Sequence, residues 1–187
     1  MIALWIVLGL IALILIWGIA TYNGFMVLKR RIENAWAQID VQLKRRYDLI
    51  PNLVNSVKGY MKYEQETLNK VVDARAKAVS AQTIPDKIQA EGALTQALRG
   101  LLAVVENYPD LKASQEVSTL MEELRNTENL ISFARQFYND TVMSFNTRLS
   151  VFPANIIGNM FSFKPATFWE IAATEEREAP KVDLTQL

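Results

Sequence analysis

Cysteine and histidine are both absent from the 187 residues, which removes disulfides, thiolate and imidazole metal ligands, Ser-His and Cys-His nucleophile pairs and the usual proton shuttle near neutral pH. Net charge is lacking as well: 20 basic and 20 acidic side chains cancel, so bulk charge supplies no attraction to nucleic acid. The sequence contains no Gly-rich phosphate loop and no interleaved basic and aromatic patch, which leaves nucleotides and nucleic acids without a warrant. Carboxylates such as Glu122, Glu123 and Glu128 are present, but the Glu-x-x-His pairs of di-iron bundles are impossible without histidine. These absences predict a protein that is not an enzyme and holds no metal or cofactor.

What is present is an apolar N-terminus. No charged side chain occurs from Met1 to Leu28, and Ile2 to Ala20 is nearly continuous apolar sequence, about 28 Å as a helix against a hydrocarbon core of about 30 Å. Gly18-Ile19-Ala20 offers a small-x-small site, yet the apolar run is too long for a signal peptide and a basic leader is missing, so an uncleaved anchor over residues 1–23 is predicted. Trp5, Trp17 and Tyr22 suit the two membrane interfaces. Lys29, Arg30 and Arg31 follow the span at once, and that asymmetry predicts an N-terminus outside and a cytoplasmic body, with these cations beside lipid.

Beyond the span, Ile32, Trp36, Ile39, Leu43, Tyr47, Ile50, Val54, Val57 and Met61 recur in steps of four and three, one stripe on one helix face. The stripe keeps its phase across Pro51, which predicts a kinked but continuous helix to residue 58, with Gly59 the place of interruption. A second helix is expected over 62–80. A third of about 20 residues starts near Pro85, and Asn107-Tyr108-Pro109-Asp110 closes it. Ser114 reads as the N-cap of a last helix of about 36 residues that Pro153 ends. The fold class is all-α: an N-terminal transmembrane helix followed by an antiparallel bundle of about four long helices in residues 24–152.

Residues 153–173 crowd Phe161, Phe163, Phe168 and Trp169 into a stretch with no clean helical period. Such a segment must be covered, by the bundle, by the membrane or by a neighbouring chain. The polar tail, 174–187, reads as disordered.

These residues resemble the LemA family. The resemblance covers nearly the whole chain and rests on Tyr22-Asn23, on residues 35–46 (AWAQIDVQLKRR), on Asp48-Leu49-Ile50-Pro51-Asn52-Leu53-Val54 and on Val57-Lys58-Gly59-Tyr60. It continues through Ala74-Arg75, Glu106-Asn107-Tyr108-Pro109-Asp110-Leu111-Lys112, Glu123-Leu124, Thr127-Glu128-Asn129, Ala134-Arg135, Tyr138-Asn139-Asp140 and Phe152-Pro153. Two departures are Ser114, where the family often has asparagine, and Tyr63, where it commonly has histidine. The resemblance implies a bacterial membrane-anchored bundle of long helices and carries over no catalytic residue.

Glu128 and Arg135 fall in the apolar stripe of the last helix, where an unpaired charge is costly, and this predicts a buried polar network with Asn129, Asn139, Arg75 or Asp48. Lys44, Arg45 and Arg46 lie roughly 20 Å beyond the first basic cluster, past the Debye length, and are expected to meet protein. With Phe161, Phe163, Phe168 and Trp169 they form the expected association surface. The reading is a non-enzymatic scaffold or adaptor of the bacterial inner membrane, partnered by the lipid bilayer and by a second copy or another membrane protein. The alternative is a ligand-sensing bundle with a polar interior site around Glu128 and Arg135.

Overall fold

The computed structural model describes residues 1–61 and 63–170, and among these every regular element is helical. The helices are α1 (Ile2–Lys58), α2 (Gln65–Ser80), α3 (Ile84–Val105), α4 (Pro109–Ala113), α5 (Gln115–Ser150) and α6 (Ala154–Met160). The all-α architecture with a long apolar N-terminal helix is as the sequence predicts. α1 is long and apolar enough at its start to cross a membrane.

The apolar N-terminal run and the helix that follows it are one element. α1 runs without interruption through Pro51 and ends at Lys58, ahead of Gly59. Its buried positions include Ile39, Leu43, Tyr47, Ile50, Val54, Val57 and, just beyond its end, Met61, the stripe that a 3.6-residue period demands. The second helix begins at Gln65, a little later than expected. α3 starts from Thr83, whose hydroxyl oxygen accepts the Asp86 N–H at 3.2 Å, with Pro85 in the first turn, the combination that satisfies a free amide and sacrifices none.

Two short helices occupy stretches read as irregular. Pro109–Ala113 is α4, a single turn admitted because Pro109 stands in its first turn, where no helical N–H is needed. Ala154–Met160 is α6. It closes with Ser162 at φ 55°, the Ser162 N–H donating to the Asn159 carbonyl and the Phe163 N–H to the Gly158 carbonyl. That pair of bonds is a Schellman closure in which serine takes the left-handed position usually given to glycine.

Two compact units divide the described chain: residues 1–45 with 126–169, and residues 46–125 with Glu170. In the first, Phe25 meets Phe145 and Trp36 meets Tyr138, so α5 descends as α1 ascends. In the second, α2 and α3 form a hairpin across the short connection 81–83, and Leu68, Val71, Ala74, Ala78, Leu94, Leu98 and Leu101 fill its interior. The tail read as disordered, 174–187, lies outside the described residues.

Candidate functional site

A buried ion pair organises the second unit. Arg46 and Glu91 are both almost fully enclosed, and Arg46 Nη2 donates to the Glu91 carboxylate. The Tyr47 hydroxyl donates to the other oxygen of the same carboxylate, and Arg46 Nη1 donates to Thr95 Oγ1 at 3.1 Å. Desolvating two charges costs several kcal/mol each, roughly, and good geometry with further hydrogen bonds must repay it. The result is a fixed register of α1 on α3. The α2 helix joins through Arg75, whose Nε donates to the Tyr47 carbonyl at 2.7 Å. On the rim of this unit the Tyr108 hydroxyl donates to Glu64; that bond first, then burial, holds the Tyr108 pKa above its ordinary value.

In the first unit the aromatics of residues 161–169 lie on α1 and α5. Phe163 stacks on Phe25 with centroids 5.1 Å apart, Phe161 meets Tyr22 at 4.6 Å, and Trp169 meets Trp36 at 5.4 Å. Arg135 lays its guanidinium over the Trp169 ring, 4.7 Å from the centroid, a cation–π contact strengthened by burial of the ring. The same extended segment is held by asparagines. Asn146 Nδ2 donates to the Ala166 carbonyl and its Oδ1 accepts the Ala166 N–H, at 2.9 and 2.8 Å. Asn139 treats Trp169 in the same way, at 3.0 and 2.8 Å. Between them the Tyr138 hydroxyl donates to the Thr167 carbonyl at 2.8 Å, and burial raises the Tyr138 pKa.

The spacing explains the fit. Residues 139 and 146 are two helical turns apart, roughly 10.5 Å, and the three steps from 166 to 169 in an extended chain span roughly 10 Å. An open groove of about 660 Å³ lies alongside, lined by Tyr22, Met26, Lys29, Phe161, Phe163, Lys164 and others. A second, of about 410 Å³, is bounded by Gln38, Val41, Gln42, Leu130, Phe133, Ala134 and Phe137.

Several expected positions are placed differently by the structure. Arg46 is no surface residue: three consecutive residues on a helix fan out by roughly 100° each, so Lys44 and Arg45 face solvent while Arg46 turns inward to Glu91. Asp48 and Asn129 are exposed, one position past the buried Tyr47 and two past the buried Thr127. Asn139 serves the Trp169 backbone, Arg75 serves the Tyr47 carbonyl, and Glu128 and Arg135 are half-buried. Trp169 is buried, and Phe163 and Phe168 are half-buried, while Phe161 stays partly open. Most of the expected association surface is therefore spent within the chain. Trp5 is exposed, Trp17 and Tyr22 are half-covered, and Lys29, Arg30 and Arg31 face outward, Arg30 pairing with Glu33 at 2.7 Å.

Glu91 escaped the sequence reading. It stands between Ile88 and Leu94 at steps of three, a charged residue in an apolar stripe, and that signal was legible. Asn146 gave no such signal, because its partner is backbone.

A model of the LemA family matches residues 35–184. Protein LemA of Metamycoplasma hominis is 28% identical over 166 residues, covering 87% of this chain and 72% of the relative. Magnetosome protein MamQ 2 of Paramagnetospirillum magneticum is 23% identical over 175 residues, and Magnetosome protein MamQ of Magnetospirillum gryphiswaldense 22% over 174. Each of these two alignments covers 64% of the magnetosome protein, less than two thirds of its length, and about 80% of this chain.

Proposed function

Since the chain belongs to the LemA family and its described residues include one helix fit to cross a membrane, we propose that it is a non-enzymatic scaffold of the bacterial inner membrane, with its N-terminus outside and its body in the cytoplasm. Residues 1–23 are the anchor, 24–152 the body, and the described part of the aromatic-rich segment, 153–170, a strap that packs on α1 and α5. The observation that carries this reading is that α1 passes from the apolar span into the body without a break. No break separates the apolar run from the part of α1 that packs on α5 in the first unit, so that packing follows the tilt of the span. The aromatic contacts of Tyr22 and Phe25 with Phe161 and Phe163 stiffen that mount.

A scaffold of this kind works by presenting a surface, and self-association is part of the proposal. The strap aromatics are largely used internally, so the exposed face of Val41, Leu130, Phe133 and Phe137 replaces them as the contact with a second copy. The test is the detergent-corrected mass of the full chain over a wide concentration range. A mass of two or more chains that falls toward one in the Phe133→Ser, Phe137→Ser variant supports the proposal. A mass of one chain at every concentration removes self-association.

A further inference from the structure

The α6 region carries an exposed apolar patch. Arg148 and Lys164 bracket a stretch, 149–163, that contains no charged side chain. Within it Ile157 turns inward to the Phe25 and Phe145 cluster, while Phe152, Ile156 and Met160 are 80%, 53% and 64% exposed. Three large apolar side chains in one short segment, Phe152 in the turn before α6 and Ile156 and Met160 on it, make the kind of patch that marks an interaction surface.

The level of that patch on the span identifies what covers it. Ile157 Cδ1 lies 3.7 Å from where a side chain on Gly18 would begin, and Trp17 packs on the same cluster. A hydrocarbon core of about 30 Å takes roughly 20 helical residues, so a span that starts at Ile2 leaves the core near Thr21. Gly18 is then roughly 5 Å inside the boundary, and the element touching it is at that depth too. Every residue of α1 before Trp17 is exposed, as a lipid-facing span requires, and burial against protein begins at the turn that α6 covers.

We propose that residues 151–161 lie in the membrane interface beside the span, with Phe152, Ile156 and Met160 inserted among the lipids of the leaflet at the C-terminal end of the span. The chemistry agrees on three counts. An interfacial helix sinks an apolar face to roughly 5 to 10 Å at the headgroup boundary, which is the depth that Gly18 assigns. Backbone groups at that depth need internal partners, and the bonds of Ser162 and Phe163 to the last turn of α6 supply them. Lys29, Arg148 and Lys164 stand on the headgroup side, suited to phospholipid phosphates.

The inference rests on the membrane reading of residues 2–20, and the test separates the two. Because the chain has no cysteine, single substitutions Phe152→Cys, Ile156→Cys and Met160→Cys can each carry an environment-sensitive fluorophore in the full-length protein. Leu10→Cys marks the span, and Ser118→Cys, exposed in the second unit, marks water. The proteins are reconstituted in nanodiscs of phosphatidylcholine and phosphatidylglycerol containing lipids with a nitroxide at a shallow or a deep acyl position. The expected result is a loss of fluorescence at 152, 156 and 160 that is greater with the shallow nitroxide, together with a loss at Leu10 that is greater with the deep one, and none at Ser118. Labels at 152, 156 and 160 that behave like Ser118 while Leu10 is quenched overturn the inference and leave the span intact. Labels shielded from aqueous iodide but untouched by both nitroxides show that another chain covers the patch, which also overturns it. An unquenched Leu10 overturns the span itself.

Discussion

The Arg75 guanidinium stands in for a missing helical hydrogen bond: its Nε donates to the Tyr47 carbonyl at 2.7 Å, the group that residue 51 serves in an ordinary helix and that Pro51, lacking an N–H, leaves open. This accounts for a proline inside a continuous α1. The unbroken helix across Pro51 expected from the phase of the stripe has a chemical partner on α2, and the partner ties the hairpin to α1.

Arg75→Leu is expected to destabilise the body by about 1 to 3 kcal/mol, because a buried carbonyl loses its donor. In a Pro51→Ala background the helix supplies its own N–H and the same change costs less. Urea melts of the four proteins in the cycle measure the difference; equal costs in both backgrounds show that Arg75 does not serve the Tyr47 carbonyl.

Glu91→Leu alone leaves Arg46 buried without its anion, and a loss of about 3 to 5 kcal/mol is expected. Arg46→Met together with Glu91→Leu recovers most of it, since a buried pair replaced by apolar groups of similar size is often neutral. Denaturant midpoints decide this, and a double variant no better than the single one argues against a coupled pair.

Asn146→Ala strips donor and acceptor from Ala166, and a cost of about 1 to 3 kcal/mol is expected from the two backbone groups left behind. Native-state hydrogen exchange reads the local effect: the Ala166 amide exchanges faster, while the hairpin amides of α2 and α3 keep their protection. Unchanged exchange at Ala166 rules out the clamp.

Tyr108 and Tyr138 both have raised pKa values, the first through its bond to Glu64 and then burial, the second through burial. The protonated form is the one the fold favours, so their contribution to stability is fully present below the unfolded value of about 10 and is lost as pH climbs through the folded values. An alkaline spectrophotometric titration is expected to show a late-ionising component, diminished in Tyr108→Phe and in Tyr138→Phe and collapsing to the ordinary value on unfolding in denaturant. Tyrosines that all ionise together at the unfolded value contradict this.

The long helices were legible because thirty or more residues give a 3.6-residue period many turns in which to show itself: Ile39, Leu43, Tyr47, Ile50 and Val57 are all buried. α6 has seven residues, two turns, too few for a period. The polar interior is hidden for a different reason. Lys44, Arg45 and Arg46 look like one cluster in the sequence, although adjacent helical residues cannot share a face, and Glu128 stands in the apolar stripe while Thr127 takes the buried position. Asn139 and Asn146 bond extended backbone at Trp169 and Ala166, and no side-chain pattern announces such a partner.

Labelling of a single cysteine at Ser118, exposed in the body, tests the membrane-mounted scaffold most directly, with a membrane-impermeant maleimide applied to intact spheroplasts and to the same cells after lysis. The expected result is no labelling in intact spheroplasts, full labelling after lysis, and labelled protein that stays with the membrane through an alkaline carbonate wash. Labelling in intact spheroplasts, or release of the chain by the wash, contradicts a body held on the cytoplasmic face by the α1 span.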